Sequence, residues 1–206
     1  TTVVEALGQL GADVSMATTH LDTPIHVAAE NGHIGVIKTL VDLGVSPRSL
    51  NYYKDTPMHC AAQKGHVEII RFLAKLGVDS NVKQQGRYMP EIPLFQAAYH
   101  GQVDAVKALV ELGADVNATD VEGFTPVNEA ARKGRADAVR ALIDLGANVN
   151  TPSTTQKRTP LQSAAHFGFT KVIEVLVAAR ADIEARDADL LSPLSVALAR
   201  NHTASS

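Results

Sequence analysis

Six short segments of this chain repeat one pattern at a nearly constant step. They read "TPIHVAAENGH" from Thr23, "TPMHCAAQKGH" from Thr56, "IPLFQAAYHGQ" from Ile92, "TPVNEAARKGR" from Thr125, "TPLQSAAHFGF" from Thr159 and "SPLSVALARNH" from Ser192. Successive starts are 33, 36, 33, 34 and 33 residues apart. Between them recur "TLVDLGVSP", "FLAKLGVDSN", "ALVELGADVN", "ALIDLGANVN" and "VLVAARADIE". A unit this short cannot bury its own apolar face, so units of one pattern must stack and share a continuous core.

Local chemistry assigns each unit two helices. Thr23 is placed to cap the first helix, and Pro24 fills its first turn, where a missing N–H costs nothing. Ala28 and Ala29 are small enough for neighbouring first helices to approach closely. Gly32 ends that helix, because the left-handed conformation is cheapest for glycine. A second helix follows, with Val36, Ile37, Leu40 and Val41 on one stripe at helical spacing. Gly44 stops it, and the chain runs through a polar hairpin to the next Thr-Pro.

The Thr-Pro, Ala-Ala, Gly and Leu-Gly-Ala-Asp-Val-Asn elements together resemble the ankyrin repeat, over essentially the whole chain. The resemblance implies an all-α solenoid of stacked helix-turn-helix units with β-hairpin fingers beside a concave inner-helix face. Its register divides residues 1–206 into one array. Residues 1–22 supply the second helix and finger of a partial unit. Full repeats follow at 23–55, 56–91, 92–124, 125–158 and 159–191, and 192–206 form a partial terminal repeat. Neither end reads as a polar capping unit. The chain is therefore expected to be part of a longer protein or ordered within a larger complex.

Bulk properties narrow the function. A net charge of −3 over 206 residues provides no global basic field, which disfavours sequence-independent nucleic-acid binding. The single cysteine, Cys60, excludes an internal disulfide framework and suits a reducing, intracellular and most simply cytoplasmic setting. No apolar run approaches the roughly 18 residues of a membrane span, so no membrane insertion is expected.

In the ankyrin family, ligand contacts come mainly from the hairpin tips and from the two residues after Ala-Ala. Carried onto this chain, the tips are Thr19 with His20, Tyr52 with Tyr53, Tyr88 with Met89, then Val121, Glu122 and Phe124, then Thr155, Gln156 and Arg158. The inner-helix pairs are Glu30–Asn31, Gln63–Lys64, Tyr99–His100, Arg132–Lys133 and His166–Phe167. All four tyrosines fall in this set, with Phe124 and Phe167, and they make six of the nine aromatics. Tyrosine there supplies large, stiff contact area at low entropic cost. The competing reading is that tip aromatics merely pack on neighbouring fingers. The predicted partner-binding set is Tyr52, Tyr53, Lys64, Tyr88, Met89, Tyr99, His100, Phe124, Arg132, Lys133, His166 and Phe167. Its basic lean, through Lys64, Arg132, Lys133 and Arg158, suits a partner with an acidic stretch. The enlarged hairpin "VKQQGRYMPEI" adds Tyr88 and Met89 to a loop of the kind where function concentrates.

The eight histidines do not assemble a catalytic or metal site in sequence. His26 and His59 fill the family's Thr-Pro-Leu-His slot, where the ring ties local backbone together, and His33 and His66 follow the helix-ending glycine. His20, His100, His166 and His202 belong to different units and bring no cysteine or carboxylate at ligand spacing. His59 and Cys60 are neighbours on a helix and point about 100° apart, so they form no nucleophile–base pair. No phosphate-cradling glycine loop is present. The expected function is a non-enzymatic protein–protein interaction module. It would bind a partner protein or peptide through its tips and concave groove, with no cofactor, metal or small-molecule substrate. The alternatives are a structural or scaffold subunit packed in a larger assembly, or the targeting region of a longer multidomain protein.

Overall fold

Thr-Pro and glycine punctuate the chain into short helices, and the computed structural model shows how these stack. It describes residues 2–18, 22–83 and 92–203. Among these residues are α1 (Thr2–Gln9), α2 (Pro24–Glu30), α3 (Ile34–Asp42), α4 (Pro57–Lys64), α5 (Val67–Lys75) and α6 (Pro93–His100). They continue with α7 (Val103–Glu111), α8 (Pro126–Arg132), α9 (Ala136–Asp144), α10 (Pro160–Phe167), α11 (Thr170–Ala178) and α12 (Pro193–Thr203). Even-numbered helices from α2 to α12 pack side by side in one row, and α5, α7, α9 and α11 form a second row against it.

The two rows meet over one continuous apolar core. The Ala-Ala pairs Ala28–Ala29, Ala61–Ala62, Ala97–Ala98, Ala130–Ala131 and Ala164–Ala165 are all buried. A larger side chain there would push inner helices apart, because interiors of this density leave no slack for added methylenes. The outer helices deliver Ile37 and Leu40, Ile70 and Leu73, Val106 and Leu109, Val139 and Leu142, and Val172 and Leu176, all buried from the opposite side.

Side chains at the start of each inner helix tie one unit to the next. His26 Nε2 lies 3.0 Å from the carbonyls of both Ser49 and Asp55, in the following finger. Carbonyls only accept, so Nε2 carries the proton, and Nδ1 accepts from the Thr23 hydroxyl at 2.8 Å. Thr23 therefore holds the imidazole rather than capping a helix N–H, a departure from the expected cap. Burial pushes the His26 pKa down, against the pull of the nearby carbonyls and of Asp22 and Asp55, and keeps the ring neutral for this role. Two later units make the same bridge without histidine. Asn128 Nδ2 donates to Arg158 O at 3.4 Å, and Gln162 Nε2 donates to Leu191 O at 2.7 Å and to Ala185 O at 3.2 Å. The unit at Ile92 departs, since Ile92 and Phe95 are buried apolar residues.

A second set of bridges runs along the loops that follow the outer helices. Asn81 Nδ2 donates to Gly113 O at 2.8 Å while its Oδ1 accepts from Asp115 N at 2.9 Å. Asn117 repeats the pattern on Gly146 and Asn148, and Asn150 Oδ1 accepts from Asp182 N.

The fingers are tight turns rather than laddered hairpins, and no strand occurs among the described residues. The described fingers are closed by Asn51 N to Asp55 O, Asp120 N to Phe124 O, Ser153 N to Arg158 O, and Asp187 N to Leu191 O, and three add an inner turn bond, Lys54 N to Asn51 O, Gly123 N to Asp120 O and Leu190 N to Asp187 O. The side chain opening the finger takes donors that a ladder would use. Asp120 Oδ1 accepts from the backbone N–H groups of Glu122 and Phe124, and Asp187 Oδ1 from those of Asp189 and Leu191. Neighbouring fingers are joined laterally by Thr154 N to Glu122 O and Ala188 N to Gln156 O.

Glycines at the two helix ends meet different constraints. At Gly134, φ is +70° and an added Cβ would meet the Phe169 ring at 2.8 Å, so both conformation and space demand glycine. After the outer helices, Gly113 and Gly146 also have positive φ, but nothing lies within 4 Å of an added Cβ. Arg180 stands at the equivalent position with φ +62°. A side chain fits there, at the cost of a left-handed backbone that non-glycine residues resist by about 1–2 kcal/mol. Arg180→Gly is thus predicted to stabilise the chain by about 1 kcal/mol, read as a higher denaturant midpoint at unchanged m-value. An unchanged or lower midpoint would contradict this assignment of strain.

Candidate functional site

Inner helices in one row, with fingers beside them, put the residues after each Ala-Ala pair on a common floor. Tyr99 and His100 end α6, Arg132 and Lys133 close α8, and His166 and Phe167 end α10. Lys133 Nζ lies 4.4 Å from the centroid of the Tyr99 ring, a cation–π contact between adjacent units worth about 0.5–1 kcal/mol at a half-exposed site. Tyr99 and His100 stand with ring centroids 4.9 Å apart. The backbone of this pair is held as well, since Arg135 Nε donates to Tyr99 O at 3.2 Å. Lys64, further along the row, bridges to Glu30 at 3.0 Å. Both partners are half exposed, so this pair adds little stability.

A groove of about 270 Å³ opens where the fingers at 120–124 and 153–158 meet α8 and α10. Glu122, Phe124, Arg132, Arg158, His166 and Phe167 are among its walls. Arg132 Nη1 donates to Glu129 Oε1 at 2.9 Å, and Arg158 Nε lies 3.7 Å from Asp187 Oδ2. Both carboxylates are buried; Glu129 holds Arg132 by a hydrogen bond, whereas Arg158 Nε and Asp187 Oδ2 face each other without one. Burial raises the Glu129 pKa, although Arg132 pulls it back down. The Arg132 guanidinium lies 5.9 Å from the Phe124 ring centroid. Phe167 is 49% exposed, with His166 edge-on at 4.8 Å and Phe169 stacked at 6.0 Å.

Phe124 stands apart from the tip contacts predicted from the sequence. It is only 8% exposed, because Asp120 draws its N–H inward and the ring becomes the wall beneath Arg132. Tyr52 and Tyr53 are exposed by 63% and 60%. Their rings meet edge to face at 5.4 Å, so the pair packs on itself and still presents most of its surface outward. Their finger is pinned by buried Asn51, whose Oδ1 accepts from Asp55 N and whose Nδ2 donates to Asp22 Oδ1, both at 2.9 Å. Tyr88 and Met89 lie outside the described residues.

Sequence reasoning missed the buried Glu129 and Asp187 behind the arginines. The signal was present in the i,i+3 spacing of Glu129 and Arg132 and in the aspartate five residues before Ser192. Among the described residues no group of histidine, cysteine and acidic side chains could hold a metal ion. Burial, with Asp55, Asp22 and Glu30 nearby, pushes the Cys60 thiol well up, so Cys60 packs as a small hydrophobe. No described helix is long and apolar enough to cross a membrane.

A family model of ankyrin repeats, three copies long, matches residues 1–84 and 94–187. The chain belongs to the ankyrin-repeat family. No curated protein matches it. Ankyrin repeats are in general protein–protein interaction modules, and the family is typically non-enzymatic. The stacked α2–α12 row of this ankyrin array, with its fingers alongside, is the architecture that the repeat pattern implies.

The floor also carries an electrostatic signature. Burial pushes the His100 pKa down, and Arg135, Lys64 and Lys133 push it further. His166 is lowered by burial, then by Arg158 and Arg200. Each cation disfavours a second positive charge on the ring. By proton NMR, the C2–H resonances of His100 and His166 should titrate with midpoints below the ordinary value of about 6.5. Lys133→Ala should raise the His100 midpoint part of the way back and leave that of His166 in place. A His100 midpoint at or above the ordinary value would contradict the geometry of this floor.

Proposed function

We propose that this ankyrin array is a recruitment module that binds a partner protein or peptide across its finger tips and concave floor. The observation that carries the reading is the run of aromatic and cationic side chains on equivalent positions of adjacent inner helices. Lys64, Tyr99 with His100, Arg132 with Lys133, and His166 with Phe167 follow one another across α4, α6, α8 and α10. Tyr52 and Tyr53 extend the face outward from an exposed finger. Aromatic and arginine anchors are the residues on which interface energy concentrates. The scaffold beneath is built from buried Ala-Ala contacts and inter-unit hydrogen bonds, so little ordering cost falls on the module when it binds. Five full units at 23–191 constitute the array in this reading.

Selection of random peptides displayed on phage, against the wild-type chain, tests the assignment without presupposing a partner. Selected peptides should lose about tenfold or more in affinity on a Tyr52→Ala/Tyr53→Ala/Tyr99→Ala variant, equivalent to about 1.4 kcal/mol. An Arg140→Ala/Glu174→Ala variant on the outer helices should bind them as the wild type does. Loss on the outer-helix variant, with full binding to the folded triple variant, would overturn the reading.

A further inference from the structure

Cations gather on the floor around α6 and α8 in a chain whose net charge is −3. The charged groups that lower the His100 pKa are the cations Arg135, Lys64 and Lys133, of which Lys64 is already paired with Glu30 at 3.0 Å. For His166 they are Arg158 and Arg200. The contrast is His26, which lies in the fields of Asp22 and Asp55. Lys133 makes no ion pair among the described residues; its ammonium rests on the Tyr99 ring. The outer helices α5, α7, α9 and α11 carry both signs, with Glu68, Asp104, Glu111, Asp137, Asp144 and Glu174 set against Arg71, Lys75, Lys107, Arg140 and Lys171.

Two clusters on the floor are shaped to hold an anion. The first is Lys64, His100 and Lys133, spanning α4, α6 and α8. The second is the groove in which Arg132, Arg158 and His166 converge between Phe124 and Phe167, with the exposed Glu122 at its wall. Buried Glu129 hydrogen-bonds Arg132, buried Asp187 lies 3.7 Å from Arg158 Nε, and each carboxylate offsets one positive charge. What remains at the front is directional N–H donors without a large surplus of charge. That arrangement suits a singly charged carboxylate, which accepts two N–H bonds side by side, better than a phosphate dianion, which needs more uncompensated charge.

Resting on the binding-module reading above, we propose that the floor receives an extended acidic segment of the partner. One carboxylate is seated at Lys64, His100 and Lys133, and a second between Arg132, Arg158 and His166. Adjacent packed helices lie roughly 8–10 Å apart, so the two clusters, about one and a half helix spacings apart, are separated by roughly 12–15 Å. At about 3.3 Å per extended residue the two acids stand about four residues apart in the partner. The aromatic walls at Tyr99, Phe124 and Phe167 select apolar residues between and beside them.

Synthetic peptides of about ten residues test this, with two glutamates about four residues apart among serines and leucines. Glutamine and phosphoserine counterparts are run alongside, and binding is followed by NMR on the whole chain. The glutamate peptide is expected to shift the C2–H resonances of both His100 and His166 and to raise their midpoints. It should bind about tenfold or more tightly than the glutamine peptide. Lys133→Glu, an exchange on the solvated side of the floor, should abolish that advantage while the dispersion of the spectrum shows the fold intact. His166→Gln, which keeps a hydrogen-bonding side chain, should lose the pH dependence and retain part of the affinity. Equal binding of the glutamine peptide, no shift at either histidine, or no binding at millimolar concentration would overturn the proposal. A phosphoserine peptide binding about tenfold more tightly than the glutamate peptide would overturn the carboxylate assignment in favour of phosphate. Phage-selected peptides that need the tyrosines and ignore these charges would leave the binding-module reading standing while this one fails.

Discussion

The hydrogen bond from the third residue of an inner helix to the finger of the next unit is the interaction on which the rest of the structure depends. His26, Asn128 and Gln162 each reach carbonyls some 23–30 residues ahead. These carbonyls lie in turns with little apolar surface of their own. Without the bridge, a finger would be left to its own turn and to lateral bonds with its neighbours, such as Asn51 to Asp22 and Thr154 to Glu122. With it, finger and floor become one surface, and buried carbonyls that would otherwise cost about 1–3 kcal/mol each are satisfied.

Much of this architecture was legible in the sequence because it recurs. The 33-residue step, Thr-Pro at each helix start, Ala-Ala at each inner contact and glycine at each helix end all report on backbone geometry. Backbone geometry is common to every unit, so the repetition exposes it. The Gly134 position was legible for that reason, whereas the tolerance of Arg180 emerged only from the structure, where nothing crowds the equivalent glycines. His26 and His59 were recognisable as rings that tie local backbone together, and the fold shows the His26 tie crossing to the next finger. Asn128 and Gln162 were not, since they share the hydrogen-bonding reach of histidine but no letter with it.

The candidate surface was less legible, because residues on it are set by what they touch rather than by the repeat. Tip position alone placed Phe124 among the exposed contacts. Its burial follows from Asp120, which draws the Phe124 N–H inward and turns the ring under Arg132. The hydrogen bond of Arg132 to Glu129 and the charge contact of Arg158 with Asp187 join side chains whose pairing only the fold makes plain. The fingers were expected as β-hairpins, and in the described ones the opening Asn51, Asp120, Ser153 or Asp187 side chain accepts backbone donors that a ladder would use. Tyr52 and Tyr53, by contrast, needed only their register between a helix-ending glycine and the next Thr-Pro to be placed on a finger.

A rigid, preorganised face is the central claim, and the bridge is its physical cause. Native-state hydrogen exchange on a Gln162→Ala variant tests it most directly. The finger amides of Asp189 and Leu191 should exchange roughly 10- to 100-fold faster than in the wild type, matching a lost bridge of about 1–3 kcal/mol. The amides of α8 should keep their protection. Unchanged exchange at Asp189 and Leu191, or equal loss of protection throughout the array, would contradict the account.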